Sequence, residues 1–302
     1  MNDSRQAPQF RSVLVTGGTG FLGEHLVHRL HATGVSVAAV VRPTSKTDRI
    51  ADHADIRTHS GESDGLIALV RDAKPDVILH LAARFASAHA PGDIAGMIAD
   101  NVTFTAQLCE AAVAAECTAL VAAGTAWQNA GSAPGDPTPA PNTLYAASKQ
   151  AADDTIDYFS RMAGLNAITL KIYDSYGAGD PRRKFLTVLR DATQSGESID
   201  ATHGDQRLHM VHVDDLVDGF VHAANLLVSG SVKGRASHTL PSREAMPLKA
   251  IADAWMHASG QDVSINWGAK PHRDGEVMVP WEGSPLPGWT PRIDLETGLA
   301  DS

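Results

Sequence analysis

Tyr145 and Lys149 stand four residues apart in Tyr145-Ala146-Ala147-Ser148-Lys149, so on a helix their side chains leave one face. A phenol beside an ammonium can exchange a proton with the oxygen of an alcohol or ketone. With an ordinary pKa of about 10 the phenol is poorly ionised at neutral pH, but a neighbouring cation and a helix N-terminus both favour the phenolate. The lysine can also hold a ribose hydroxyl.

A second constellation lies near the N-terminus, where Val13-Leu14-Val15 runs into Thr16-Gly17-Gly18-Thr19-Gly20-Phe21-Leu22-Gly23 and a helical stretch follows. Gly18, Gly20 and Gly23 fit the dinucleotide fingerprint, and Gly17, Gly20 and Gly23 fit a wider-spaced variant. Glycine permits the tight turn, lets backbone N–H groups approach a pyrophosphate, and lets the helix pack against the strand. The helix N-terminus then faces the negative charge. Gly17, Thr19, Gly20, Phe21, Leu22 and Gly23 are therefore candidate cofactor contacts. The next strand ends at Val41-Arg42-Pro43-Thr44-Ser45; an arginine there can meet a 2′-phosphate, where an NAD site usually holds an acidic residue. NADP(H) is the expected cofactor and NAD(H) the alternative.

Both constellations need a scaffold, and the pattern around them supplies one. Strands expected at Ser12–Val15, Val35–Val41, Val77–His80, Ala119–Ala123 and Ala167–Ile172 alternate with helices near Leu22–Thr33, Gly65–Ala73, Ile98–Ala115 and Leu144–Ala163. This is the βαβ rhythm of an α/β fold, a Rossmann-type doubly wound parallel sheet. Residues 129–142, with Pro134, Pro137, Pro139 and Pro141, are expected as a loop. A dinucleotide-binding domain over 1–175 is expected, with a smaller C-terminal α/β substrate domain over 176–302. Residues 207–225 are expected to return to the first domain, Arg207–Asp215 as a strand.

Composition excludes several classes. No apolar run reaches the roughly 18 residues that span a bilayer, so no membrane partner is expected. A formal net charge of −10 argues against sequence-independent nucleic-acid binding, which needs phosphate neutralisation. Residues 1–10 lack the basic start and apolar stretch of a secretory signal; they are expected to fray, and the location to be cytoplasmic. Cys109 and Cys117 read as reduced structural thiols. His25, His28 and His31 share a helical face without acidic or thiol partners, and no metal is expected.

The chain as a whole resembles the extended short-chain dehydrogenase/reductase family, in its NAD-dependent epimerase/dehydratase group acting on nucleotide-activated sugars. Besides the two constellations, the resemblance rests on His80-Leu81-Ala82-Ala83, Asn101-Val102, Tyr176-Gly177, Val211-His212-Val213-Asp214-Asp215 and Gly288-Trp289-Thr290-Pro291-Arg292 in the family's order. It implies that Leu81, Ala82 and Ala83 line the cofactor and that Asn101 orders the active-site loops. It also implies a homodimer through the helices at 98–115 and 144–163. Arg84 and Trp127 join these segments as candidate substrate contacts.

Three departures bear on the reaction. Relatives place a Ser or Thr after the fourth strand, and here Ala123 falls at that position in one alignment, leaving Thr125 as the available hydroxyl. Gly124–Trp127 holds no carboxylate, which disfavours the elimination of water that sugar 4,6-dehydratases perform. Asp174 replaces a frequent Asn, and would repel a sugar diphosphate unless Arg182, Arg183 or Lys184 offset it. Arg207 and Arg273 are further candidate diphosphate ligands. The resemblance thus implies NADP(H)-dependent reduction of a keto group on a nucleotide-diphosphate (deoxy)sugar, with Tyr145, Lys149 and Thr125 as catalytic residues. The alternatives are an epimerase with tightly bound NAD, a reductase of small carbonyls, and a non-enzymatic dinucleotide sensor.

Overall fold

The computed structural model describes residues 6–273 and 275–300. In chain order, β1 (Ser12–Thr16), α1 (Phe21–Ala32), β2 (Ser36–Val41), β3 (Asp55–Thr58), α2 (Ser63–Ala73) and β4 (Val77–His80) open the fold. Then come α3 (Ile94–Ile98), α4 (Phe104–Ala114), β5 (Ala119–Thr125), α5 (Leu144–Ala163) and β6 (Asn166–Ile172). Next are β7 (Asp174–Tyr176), α6 (Phe185–Ser195), β8 (Ile199–Ala201), β9 (Arg207–Leu208), β10 (Met210–His212) and α7 (Val213–Val228). The chain closes with β11 (Arg235–Leu240), β12 (Met246–Pro247), α8 (Leu248–Ser259), β13 (Ile265–Trp267) and α9 (Leu295–Ala300).

Seven parallel strands form one sheet in the order β11-β6-β5-β4-β1-β2-β3. All pairings being parallel, crossovers must lie on the faces, and the apolar strands β1, β4 and β5 are buried on both. One core joins Val13 and Val15 to Leu26, Val27 and Leu30 of α1 and Leu216, Phe220 and Ala224 of α7. The other joins Leu14, Ile78 and Leu120 to Leu66, Leu108, Cys109 and Ile156 on the opposite face. A third cluster, with Leu186, Leu189, Ile251, Ala252 and Trp255, holds a smaller α/β assembly together. The fold is α/β, Rossmann-type.

Several local expectations change. Two strands join the sheet unforeseen: β3, and β11, which pairs with β6 from Arg235↔Ala167 to Leu240↔Ile172. The strand expected within Arg207–Asp215 is split; β10 pairs with β7 and β9 with β12, both outside the main sheet. Its continuation enters α7, whose apolar face covers the sheet beside α1. The helix expected from Ile98 breaks into α3, a π-helical turn over Ala99–Thr103, and α4. Of the arm expected to fray, residues 1–5 lie outside the described residues, while the described part docks on α7. There Gln9 N–H donates to Asn225 Oδ1 at 2.7 Å, Asn225 Nδ2 donates to Ala7 O, and Phe10 is buried.

Candidate active site

At the C-terminal edge of β1 the chain must turn sharply into α1, and its glycines allow this. Gly17 has φ +74°, and a Cβ there would lie 2.6 Å from Ala82 N. A Cβ on Gly23 would collide with the Gly17 carbonyl, so helix and turn are in contact as only glycine permits. Gly20 caps α1 without a side-chain hydrogen bond, leaving the first-turn N–H groups to an external acceptor. The turn floors a cavity of about 590 Å³ lined by Gly17, Thr19, Gly20, Arg42 and Leu81–Ala83, all singled out by sequence. Val40, Ser45, His59, Phe104 and Gln107 extend its walls. A cradle that any side chain would fill, a free helix N-terminus and a cavity of this volume fit a dinucleotide.

Beneath the turn a polar chain fixes the walls. Thr105 Oγ1 donates to Asn101 O at 2.7 Å, so it must accept from His80 Nε2 at 2.9 Å; the imidazole therefore carries its proton on Nε2. His80 Nδ1 is then the acceptor for Thr16 Oγ1 at 2.7 Å, and Ala82 N–H donates back to Thr16 Oγ1 at 3.3 Å. Burial, helped by Lys149, pushes the His80 pKa down to about 3, so the ring stays neutral. Asn101, fully buried in the π-helical turn, continues the chain. Its Oδ1 accepts from Arg84 N–H at 2.7 Å, and its Nδ2 donates to Arg84 O and to Ser148 Oγ. Ser148 in turn donates to Tyr145 O at 2.7 Å. The loop after β4 and the first turns of α5 are thus tied through one asparagine.

Thr143 caps α5 by accepting from Ala146 N–H, placing Tyr145 in the first helical turn. Phe85 packs edge-on to the Tyr145 ring at 4.9 Å and also meets Trp127 at 5.9 Å. Lys149, one turn on, is buried beside His80, Ala123 and Asp153 in a small internal space. The expected effect of Lys149 on the phenol is not found. Burial alone pushes Tyr145 up to about 12, while burial pushes Lys149 down to about 8 against the opposing pull of Asp153.

Thr125 ends β5, and its Oγ1 accepts Trp127 N–H at 3.3 Å, leaving the hydroxyl proton to donate elsewhere. Gln128, fully buried, accepts from Thr125 N–H and donates to Gln150 of α5, which locks the end of β5 to the Tyr-Lys helix. Ala123, and not Thr125, borders the space at Lys149. The loop 129–142 is clamped from the C-terminal side. Trp281 Nε1 donates to Asp136 O, Gly135 N–H to Glu282 O, and buried Lys171 reaches both Asn129 Oδ1 at 2.6 Å and the Trp281 ring.

Of the three cations expected to offset Asp174, the lysine does so and the arginines do not. Arg182 pairs with Asp180 at 2.6 Å and lies over the Phe21 ring, and Lys184 meets Asp174 at 3.1 Å. Arg183 and Arg273 are exposed, and Arg207 is drawn to the Ala245 carbonyl. Arg84 pairs with Asp100 at 2.8 Å. The structure thus gathers Tyr145, Trp127 and, through Asn101, the Arg84 main chain. Arg183, Arg207 and Arg273 are not joined to that group by any contact among the described residues.

Phe85, His80, Asp100 and Ser148 are parts of the site that sequence reasoning missed. His80 stood inside a recognised motif, which was a usable signal. Cys109 and Cys117 are buried free thiols, pushed up to about 12 and about 11. Among the described residues no group of three or more His, Cys, Asp or Glu could hold a metal ion, and no helix is long and apolar enough to cross a membrane.

A parallel Rossmann-type sheet, a glycine turn opening on a dinucleotide-sized cavity and a Tyr-Lys helix beside it define an oxidoreductase-type enzyme of the short-chain dehydrogenase class. Residues 13–235 match the NAD dependent epimerase/dehydratase family, and the chain belongs to it. It is 23% identical to a CDP-abequose synthase of Salmonella typhimurium over 297 residues, covering 96% of each chain. It is 24% identical to a UDP-glucose 4-epimerase of Rhizobium meliloti over 315 residues, covering 95% of this chain and 94% of the relative. The solved structure of MoeE5 in complex with UDP-glucose and NAD superposes with a TM-score of 0.81 at 25% identity, covering 96% of each chain.

Proposed function

We propose that the protein is an NADP(H)-dependent reductase of a keto group on a nucleotide-linked deoxysugar. The observation that carries this reading is Tyr145. It sits in the first turn of α5 against Phe85, beside Lys149, and burial keeps its phenol proton-bearing, the form a reductase needs. The relatives named for CDP- and UDP-linked sugars support the substrate class. Arg42, with Thr44 and Ser45 on the same cavity wall, supports a 2′-phosphate.

When bound, the cofactor supplies the hydride for the carbonyl carbon. Tyr145 Oη gives its proton to the carbonyl oxygen, so the product is an alcohol and the phenolate recovers its proton from solvent. Thr125 donates a hydrogen bond to that oxygen. Lys149 holds a ribose hydroxyl and, when protonated, stabilises the phenolate. Gly17–Gly23 and the open end of α1 take the pyrophosphate, Leu81–Ala83 line the dinucleotide, and Asn101 holds the loop after β4 in place. The assembly around α6 and α8, with Arg183, Arg207 and Arg273, takes the nucleotide end of the substrate. Tyr158 and Met162, exposed on α5, extend the face through which two copies would pair.

The test is to follow NADPH absorbance with nucleotide-linked 4-keto-6-deoxysugars. Oxidation of NADPH that Tyr145→Phe abolishes, with dinucleotide binding retained, is the expected result. Absence of oxidation, together with isomerisation of a UDP-hexose without added cofactor, would replace this reading with an NAD-retaining epimerase, which the UDP-glucose 4-epimerase relatives favour.

A further inference from the structure

Two walls of the dinucleotide cavity touch across its floor. In the sheet, β1 lies between β4 and β2, so whatever follows β2 and whatever follows β4 flank the glycine turn that follows β1. Arg42 follows β2. Asp100, in the π-helical turn after β4, faces it, and both line the cavity. Arg42 Nη1 lies 3.5 Å from Asp100 Oδ2, a contact from wall to wall. The same carboxylate oxygen accepts a hydrogen bond from Arg84 Nε at 2.8 Å, and Arg84 itself is not among the cavity walls. Its backbone is pinned on both sides by the Asn101 side chain.

We infer that Asp100 is the specificity-determining residue for the cofactor's 2′ position, and that Arg84 sets its strength from outside the cavity. This rests on the reading of Arg42 as the 2′-phosphate ligand. A phosphate on Arg42 comes to rest within a few ångströms of a carboxylate already leaning on the same guanidinium. A 2′-hydroxyl in that place carries no charge to repel. Asp100 therefore weakens NADP(H) relative to NAD(H). Arg84, holding the shared oxygen more closely than Arg42 does, draws the carboxylate's charge away and restores NADP(H).

At an effective dielectric between that of the protein surface and water, unit charges about 6 Å apart change an equilibrium by about fivefold, and salt reduces this. Arg42 is 70% exposed and Asp100 29%, so the screened end of the range applies.

The experiment measures Kd for NADPH and NADH by nicotinamide fluorescence at low salt in four proteins: the parent chain, Asp100→Asn, Arg84→Gln and Arg42→Ala. Asp100→Asn should raise the ratio Kd(NADH)/Kd(NADPH) about fivefold, and Arg84→Gln should lower it, both shifts shrinking at high salt. Ratios that do not move, or that move together, overturn the inference, since disturbance of the neighbouring Asn101 would weaken both cofactors alike. An unchanged ratio in Arg42→Ala removes the reading of Arg42 and this inference with it. A changed ratio there with an unmoved one in Asp100→Asn removes this inference alone.

Discussion

Replacing Lys149 by Met should make the protein more stable and inactive. Lys149 is 5% exposed, and burial brings its pKa from 10.5 to about 8. A base whose folded pKa is depressed is held against its preference for charge, so below the folded value the whole penalty is present. It is relieved as pH rises from about 8 to about 10.5, where the unfolded chain also gives up the proton. The difference of about 2.5 units corresponds to about 3 kcal/mol at pH 7. Methionine keeps the length and apolar stem without the charge. Asp153 is not stranded by the change, because Arg235 and Thr169 also bond its Oδ1. For a chain of this size about 3 kcal/mol raises Tm by roughly 6 °C. Urea and thermal unfolding of both proteins between pH 6 and pH 10 measure it. The gap should be constant to about pH 7.5 and close toward pH 10. A variant less stable than the parent at pH 7, or a gap indifferent to pH, would refute the argument that Lys149 is kept charged for function at the expense of the fold.

Gly17→Ala forces a Cβ to 2.6 Å from Ala82 N at a positive φ, and should abolish the thermal shift that dinucleotide gives the parent chain; an undiminished shift would show that the turn is not the binding floor. His80→Leu takes the acceptor from the Thr16 hydroxyl and the donor from Thr105 Oγ1, which keep only Ala82 N–H and Asn101 O as partners, and should cost about 1 to 3 kcal/mol in urea unfolding at pH 7. The parent loses stability as pH falls from about 6.5, because His80 stays neutral to about 3 while the unfolded ring takes a proton; that slope should flatten in His80→Leu. Thr125→Ala should lower turnover by about tenfold to a hundredfold, with Thr125→Ser, which keeps the hydroxyl, restoring most of it; equal loss in both would show that the hydroxyl is not what the reaction uses.

Strands β1, β2, β4, β5 and β6 were legible because each is an apolar run bounded by turn residues, and α5 was legible to its last residue because Thr143 and Gly164 cap it. Strand β3 was not, since Asp55-Ile56-Arg57-Thr58 lies at the sheet's edge, exposed or half-buried, with a polar alternation that reads as loop. Strand β11 hides for a related reason. Arg235 is spent on Asp153 and Thr169, and only its end, Thr239-Leu240, is fully buried. The break at Ala99–Thr103 leaves no mark in an Ala-rich helical pattern, because it is imposed by what Asn101 must reach: Arg84 on one side and Ser148 on the other. The residues of the glycine turn and the Tyr-Lys helix announce themselves by type and spacing. Phe85 and Asp100 do not, as their roles come from chain segments distant in sequence.

The direction of proton transfer shows why that division matters. Spacing alone argued for a phenolate, since an ammonium one turn away should draw the proton off Tyr145. Burial reverses the sign, because the enclosed lysine and the half-buried phenol are each driven toward the neutral form. A neutral phenol over a carbonyl oxygen is a donor and cannot be a base. For the oxidative half of an epimerase cycle to begin, the phenol must first lose a proton that the fold holds to about 12, whereas reduction begins from the form already present. The low Lys149 value then sets an upper pH limit to the same reaction. Above about 8 the lysine loses the charge that steadies the nascent phenolate, so reductive turnover should fall there while dinucleotide binding persists. A reductive rate that climbs through pH 8 to 10 would show that the charge on Lys149 does not steady the nascent phenolate, and would refute this account.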